Sequence, residues 1–276
     1  MVLLSYTERK PGRAWYNTSI MSAFDALILG LVEGLTEYLP ISSTAHLILT
    51  AEILGIAQSN FAKTFEIAIQ SGAIAAVVAL YWRKFLDPRI MKMVLAAFIP
   101  TGVIGFTFYQ TVKTHLIGNV DVVLWALAIG GVLLIVFERW YREPEENVIP
   151  PEQEITYPKA LWIGLAQSVA MIPGVSRSAA TIVGGMLLGI RRATIVEFSF
   201  LLAVPTLAAA TALDLLKNYK EFSGAEFGTL GIGFLASFAT ALFAIRFLLR
   251  YIKRHAFTAF GIYRMLLVAI FLLFVY

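Results

Sequence analysis

GLVEGLTEYLPISSTAHLIL (Gly30–Leu49) returns in altered form as GLAQSVAMIPGVSRSAATIV (Gly164–Val183). Laid side by side without a gap, Gly30 falls on Gly164, Leu31 on Leu165, Glu33 on Gln167 and Ser42 on Ser176. Each copy is an apolar run cut by a proline and followed at once by a hydroxyl-rich cluster. Neither half of a copy reaches the roughly 20 apolar residues that a bilayer crossing needs. Yet this apolar setting holds Glu33, Glu37, His46 and Arg177. The two copies read as one site, built where two interrupted segments meet.

Outward from the first copy, Asp25–Leu39 has a helical pattern that ends before Pro40, because proline disfavours helix in the residue ahead of it. Ser42, Ser43 and Thr44 then offer side-chain oxygens suited to capping a new helix, which runs to about Gly55. Candidate full crossings follow at Ile67–Trp82, Met93–Val112 (broken by Pro100) and Val122–Phe137, none with an acidic or basic residue inside. The second copy repeats the order. Ala160–Ile172 stops at Pro173-Gly174, a short helix runs from Ser176 to Gly189, and crossings follow at Phe198–Leu213, Phe227–Ile245 and Ala256–Tyr276.

The expected fold is an all-α polytopic membrane protein of two repeats, each with two short re-entrant helices and three full transmembrane helices. An odd number of passes turns the second repeat upside down, and inverted repeats with interrupted helices place their site near the midplane between them. The division is a polar leader (1–20), a first repeat (21–141), a polar proline-rich linker (142–157) and a second repeat (158–276). The leader lacks the apolar core of a signal peptide and reads as disordered, or as lying ahead of a true start at Met21.

Composition agrees. Only 14% of the 276 residues are charged, 59% are hydrophobic, and mean hydropathy is +0.77; a soluble domain carries about 25% charged residues. No length is left for a separate soluble domain. The net charge of +4 is no nucleic-acid signal, because the basic residues sit in short loops between apolar runs. Absence of cysteine excludes disulfides and thiolate metal sites without fixing the redox compartment. With the Arg83–Lys92 loop in the cytoplasm, most basic residues fall on that side, as the positive-inside rule requires. The first helical hairpin then enters from the outer face.

Glu33 and Glu37 are four residues apart, which puts their carboxylates on one helix face. Each ion at mid-membrane costs about 2.5–3.5 kcal/mol on translocon scales, so Glu33, Glu37 and Arg177 must be paired, hydrated or neutralised. A buried ion cluster clipping the repeats together would do this, but it leaves the hydroxyls unexplained. Ser42, Ser43, Thr44, Ser176, Ser178 and Thr181 all stand at helix starts. Some of them simply cap. Two facing half-helix N-termini also offer free N–H groups and partial positive charge, which makes an anion site. Gly174 allows close backbone approach, and the Arg177 guanidinium matches phosphate oxygens. The ligand expected is a phosphate or diphosphate at membrane depth. A divalent cation, Mg²⁺ or Ca²⁺, would reconcile such a ligand with Glu33 and Glu37, since all are hard oxygen donors. His46 alone would more often be structural or interfacial; beside a nucleophile candidate such as Ser43 it becomes a general base or acid.

Val32–His46 (VEGLTEYLPISSTAH) and Pro173–Thr181 (PGVSRSAAT) resemble the two signature motifs of the undecaprenyl-diphosphate phosphatase family, the bacitracin-resistance membrane phosphatases. The resemblance runs from about Met21 to the C-terminus and includes FEIAIQSG (Phe65–Gly72) and EFSFLLAVP (Glu197–Pro205). It implies removal of the terminal phosphate of undecaprenyl diphosphate at the outer face of the bacterial inner membrane. That step recycles the lipid carrier of peptidoglycan synthesis. It also implies a divalent-cation requirement and the inverted-repeat fold. Carried over, Glu33 and Glu37 form the acidic metal-binding motif, Ser42, Ser43, Thr44 and His46 the hydroxyl-histidine group, and Arg177 the phosphate ligand. Ala45 and Ala179 stand where family members carry glycine, which removes no functional group. The partners implied are the polyprenyl diphosphate and the membrane, not nucleic acid; a homodimer stays open. The rival class is a transporter or flippase of a polyprenyl phosphate, which would need no serine-histidine pair. Within the phosphatase reading, two schemes stay open: attack by Ser43 with His46 taking its proton, or attack by water with Ser43 only positioning the diphosphate.

Overall fold

A computed structural model of the chain describes residues 21–56, 60–116, 119–143, 151–218 and 226–275. The leader expected at 1–20 and part of the linker lie outside them. The described residues are helical: α1 (Ala23–Thr36), α2 (Ser43–Leu54), α3 (Asn60–Phe85), α4 (Pro88–His115), α5 (Val120–Trp140), the single turn α6 (Pro151–Glu154), α7 (Tyr157–Ser168), α8 (Arg177–Leu187), α9 (Arg192–Asn218), α10 (Glu226–Tyr251) and α11 (Thr258–Phe274). A 3₁₀ turn, Val169–Met171, extends α7. Five helices, α3, α4, α5, α9 and α10, are long and apolar enough to cross a membrane. The apolar α11, at 17 residues, sits at the short limit for a span.

Several boundaries move from the sequence reading. Ser22 starts α1 with a reciprocal capping box, its hydroxyl accepting from the Asp25 N–H while its own N–H donates to the Asp25 carboxylate. α1 stops at Thr36, before the turn that leads into Pro40. The expected break at Pro100 does not occur: α4 runs through it, as α9 runs through Pro205. A membrane helix tolerates proline where neighbouring helices re-satisfy the backbone, and at Pro100 the neighbour α7 packs very closely. A side chain at Gly164 would collide with the Ala97 carbonyl. The linker is not wholly irregular either, since α6 carries Glu154, which pairs with Arg191 at the start of α9.

Packing crosses between the halves of the chain. α1 lies against α10, and α7 against α4. At the first contact a Cβ on Gly30 would strike the Gly233 carbonyl; at the second, Gly164 plays the same part against Ala97. α3 packs on α9, and α5 on α11. The main core, with Tyr38, Phe198, Phe200 and Phe257 among its members, fills the space between these helices. The two proline turns therefore meet inside the bundle.

Candidate active site

Both turns have one backbone peculiarity. Ser42 (φ 72°) and Ser176 (φ 74°) are the non-glycine residues with positive φ among the described residues. Such geometry is costly for an L residue and clusters at functional sites. Each serine is the N-cap of the next short helix, its hydroxyl accepting from the backbone N–H of Ala45 or Ala179. The strain turns each chain sharply enough to leave the following residue, Ser43 or Arg177, as the first of its helix.

Those two residues converge on one carboxylate. Glu37, the C-cap of α1, accepts from Arg177 Nη2 at 2.7 Å through Oε1 and from the Ser43 hydroxyl through Oε2. The Arg177 Nη1 donates to the Ser199 carbonyl at 2.9 Å and hydroxyl at 3.2 Å. Its guanidinium lies 5.5 Å from the Tyr38 ring centroid. The Nε–H of Arg177 is buried and has no partner. With Glu37 and Arg177 side chains only 4% and 10% exposed, this is a desolvated cluster with one donor left for a ligand.

A cavity of about 140 Å³ opens beside it, lined among others by Glu37, Ser42, Ser43, Thr44, Gly174, Ser176 and Arg177. It adjoins a larger, mostly apolar cavity of about 840 Å³ between α3, α4 and α9. Thr44, Gln70, Thr101, Ala170, Met171 and Thr206 line both.

Four expected site residues, His46, Ser178, Thr181 and Glu33, do not line the smaller cavity. His46 does not meet Ser43. Its Nδ1 lies 2.7 Å from the Ser42 carbonyl, so that nitrogen carries the proton, and Nε2, 2.8 Å from the Tyr263 hydroxyl, accepts from it. Ser178 and Thr181 are fully buried and do not line the cavity. The Ser178 hydroxyl donates to the Tyr38 carbonyl at 2.8 Å, and that of Thr181 to the Arg177 carbonyl at 2.8 Å. Their hydroxyls are spent on fixing α8 to α1 and on the first turn of α8.

Glu33 is fully buried; no donor reaches its oxygens, and its side-chain contact is with the Glu37 carboxylate. Glu37, Glu66 and Arg177 all act on it electrostatically. Two carboxylates satisfy one another only with a proton or a cation between them. The corresponding residue of the second copy behaves differently. Gln167 donates to Thr101 and Thr206 at 3.0 and 3.1 Å, and its oxygen lies 3.3 Å from the Thr181 hydroxyl. Among the described residues no group of three or more acidic, histidine or cysteine side chains is set to hold a metal. An ion seated on Glu33 and Glu37 would therefore need ligand oxygens as well.

Sequence reasoning missed Glu66, Gln70, Thr101, Thr206, Tyr263 and Arg264. The first four come from long helices whose apolar pattern gives no hint of a cavity, though Glu66 lies in the FEIAIQSG stretch of the resemblance.

The sequence profile of the bacitracin resistance protein BacA matches residues 26–270. The chain belongs to this family. A protein of Sulfurihydrogenibium sp. named undecaprenyl-diphosphatase is 51% identical over 247 residues, 90% of this chain and 97% of its own. One of Aquifex aeolicus with the same name is 50% identical over 248 residues, 90% and 96% of the two chains. One of Thermus thermophilus, again so named, is 44% identical over 258 residues, 92% and 98%. The matched residues 26–270 take in both turns, the cavity lining and α11 as far as Ile270.

Proposed function

We propose that the chain hydrolyses undecaprenyl diphosphate to undecaprenyl phosphate and inorganic phosphate. Membership of the BacA family and the name of its relatives support the substrate. The observation that carries the chemistry is the convergence of Ser43 and Arg177 on Glu37 at the cavity wall. Ser43 Oγ attacks the terminal phosphorus, the bond to the lipid-side phosphate oxygen breaks, and the hydroxyl proton passes to Glu37, its hydrogen-bond partner. Water then cleaves the phosphoserine, releasing phosphate. Glu37 takes the base role that sequence reasoning gave to His46, because it is the group within reach. Arg177 Nε and the N-termini of α2 and α8 hold the phosphoryl oxygens. The apolar cavity, continuous with the polar one, suits the first isoprene units of the tail.

Glu33 and Glu37 are the residues that would hold a divalent cation, Glu33 because its buried oxygens are otherwise unsatisfied. Such an ion would offset the diphosphate charge and polarise its oxygens. The two halves read as an inverted repeat, supported by the strained serines at Ser42 and Ser176, by the glycine contacts at Gly30 and Gly164, and by the exchanged packing. With the basic loops in the cytoplasm, the cavity faces the outer side of the inner membrane, where recycling of the carrier would confer bacitracin resistance.

The test is direct. Purified protein in detergent, given undecaprenyl diphosphate and Mg²⁺, is expected to release one phosphate per lipid. Lipid transfer across a vesicle membrane without phosphate release would favour a flippase and overturn the phosphatase reading.

A further inference from the structure

Arg264 is the largest fully buried side chain of the described protein. Its hydrogen bonds go to main-chain carbonyls alone. Nη2 donates to Gly174 O at 2.8 Å and Ala126 O at 2.9 Å, Nε to Leu127 O at 3.2 Å, and Nη1 to Val175 O at 3.3 Å. One guanidinium thus ties the turn ahead of Ser176 to the middle of α5. Gly130 makes room for it, since a Cβ there would collide with Nη2. Gly174, at φ +99°, presses the same turn against Val123 of α5.

The adjacent residue does the corresponding job on the other turn. The Tyr263 hydroxyl donates to His46 Nε2 at 2.8 Å, and the opposite ring nitrogen of His46 holds the Ser42 carbonyl at 2.7 Å. The two rings lie nearly parallel, 2° apart. Consecutive residues of α11 therefore reach the two turns that contain the strained serines.

In a trans peptide the C=O and N–H point in opposite directions. Fixing the Val175 carbonyl sets the direction of the Ser176 N–H at the N-terminus of α8; fixing the Ser42 carbonyl sets that of the Ser43 N–H at the N-terminus of α2. Both are donors an anion at the cavity would use. A positive-φ turn has no local preference for its conformation, so something outside it must hold it.

We infer that Tyr263 and Arg264 are positioning residues for the phosphoryl site, bracing the two turns from a helix that does not line the cavity. The inference rests on the phosphatase reading. Both side chains act through the backbone they hold, and neither touches substrate.

Four proteins decide it: wild type, Tyr263→Phe, Arg264→Lys and Gly130→Ala, each purified in detergent and compared by phosphate release, inhibition by inorganic phosphate and thermal unfolding. Tyr263→Phe loses one hydroxyl from a half-exposed ring and is expected to fold. It should lower kcat about tenfold with KM for the lipid within about twofold, the split expected when a transition-state contact is loosened. Arg264→Lys keeps the charge but cannot reach four carbonyls. It should lose about a hundredfold in kcat and weaken inhibition by phosphate, as should Gly130→Ala, which displaces the guanidinium without altering it. Tyr263→Phe at wild-type kcat would remove the tyrosine arm. Folded Arg264→Lys or Gly130→Ala with wild-type kcat and phosphate inhibition would remove the arginine arm. If both lysine and alanine variants fail to fold, the Tyr263→Phe result stands alone and decides the proposal. A wild-type protein that releases no phosphate would instead sink the phosphatase reading.

Discussion

Replacing Glu33 with glutamine separates its cost to the fold from its use in catalysis. Glu33 is fully buried, its two oxygens meet no donor, and Glu37 and Glu66 lie near. Without a cation, the two carboxylates are satisfied by a shared proton, because a bare buried ion is penalised by several kcal/mol. A glutamine can donate to Glu37 in place of that proton, so Glu33→Gln should leave the cation-free protein within about 1 kcal/mol of wild type. For a chain of this size that is a Tm within roughly 4 °C. Activity should nevertheless fall, at least about a hundredfold, if Glu33 seats a divalent cation. The assay is thermal unfolding of the detergent-purified protein in EDTA and in Mg²⁺, alongside phosphate release. Mg²⁺ should raise the Tm of wild type and leave that of Glu33→Gln unchanged. Equal Mg²⁺ stabilisation of both would refute the metal seat, and a variant more than roughly 4 °C below wild type in EDTA would refute the shared proton.

Ser43→Ala should lose turnover altogether, and acid-quenched wild type should yield a labelled phosphoserine; a variant retaining a tenth of the wild-type rate would leave attack by water. Arg177→Lys keeps a charge but loses the fork that joins Glu37 to Ser199, so a drop of about a hundredfold in kcat/KM is expected, and near-normal activity would reduce Arg177 to a point charge. In this cysteine-free chain, a cysteine at His115 should react from outside intact cells with an impermeant thiol reagent and one at Arg89 should not; the reverse pattern would invert the membrane orientation. Gly30→Ala places a methyl group against the Gly233 carbonyl and should destabilise by about 1–3 kcal/mol, read as a lower Tm.

The sequence showed the helix order because apolar length and proline position are local signals. It overstated Pro100 for the same reason: whether a proline breaks a helix depends on what packs against it, and Gly164 lies on another helix. The ions and hydroxyls of the two turns were legible as chemistry. Which hydroxyl faces which carboxylate was not. Ser43 and His46 share a helical face by spacing, yet the Ser43 hydroxyl turns to Glu37 while the His46 ring folds back on the Ser42 carbonyl. No local pattern announces which way each side chain turns. Arg264 was visible only as a lone arginine in an apolar run, since its partners are carbonyls, which every residue has.

On the repeat reading proposed above, the site draws on both halves without being symmetrical. By the ungapped match, Ser43 in the first half corresponds to Arg177 in the second. Each follows a strained serine, each begins a short helix, and each reaches Glu37. The two turns supply similar mounting points aimed at one place, and on the proposed reading a nucleophile stands on one and a cation on the other. The same divergence separates Glu33 from Gln167. The second-half amide donates to Thr101 and Thr206 and has Thr181 beside its oxygen, so hydroxyls hold it in place. The first-half acid has no such partners. A symmetrical pair of acids would have concentrated negative charge against an anionic substrate, and a symmetrical pair of amides would have left nothing to bind a cation. With one of each, the proposed site keeps an acid for a cation and an amide that ties α7 to α4 and α9.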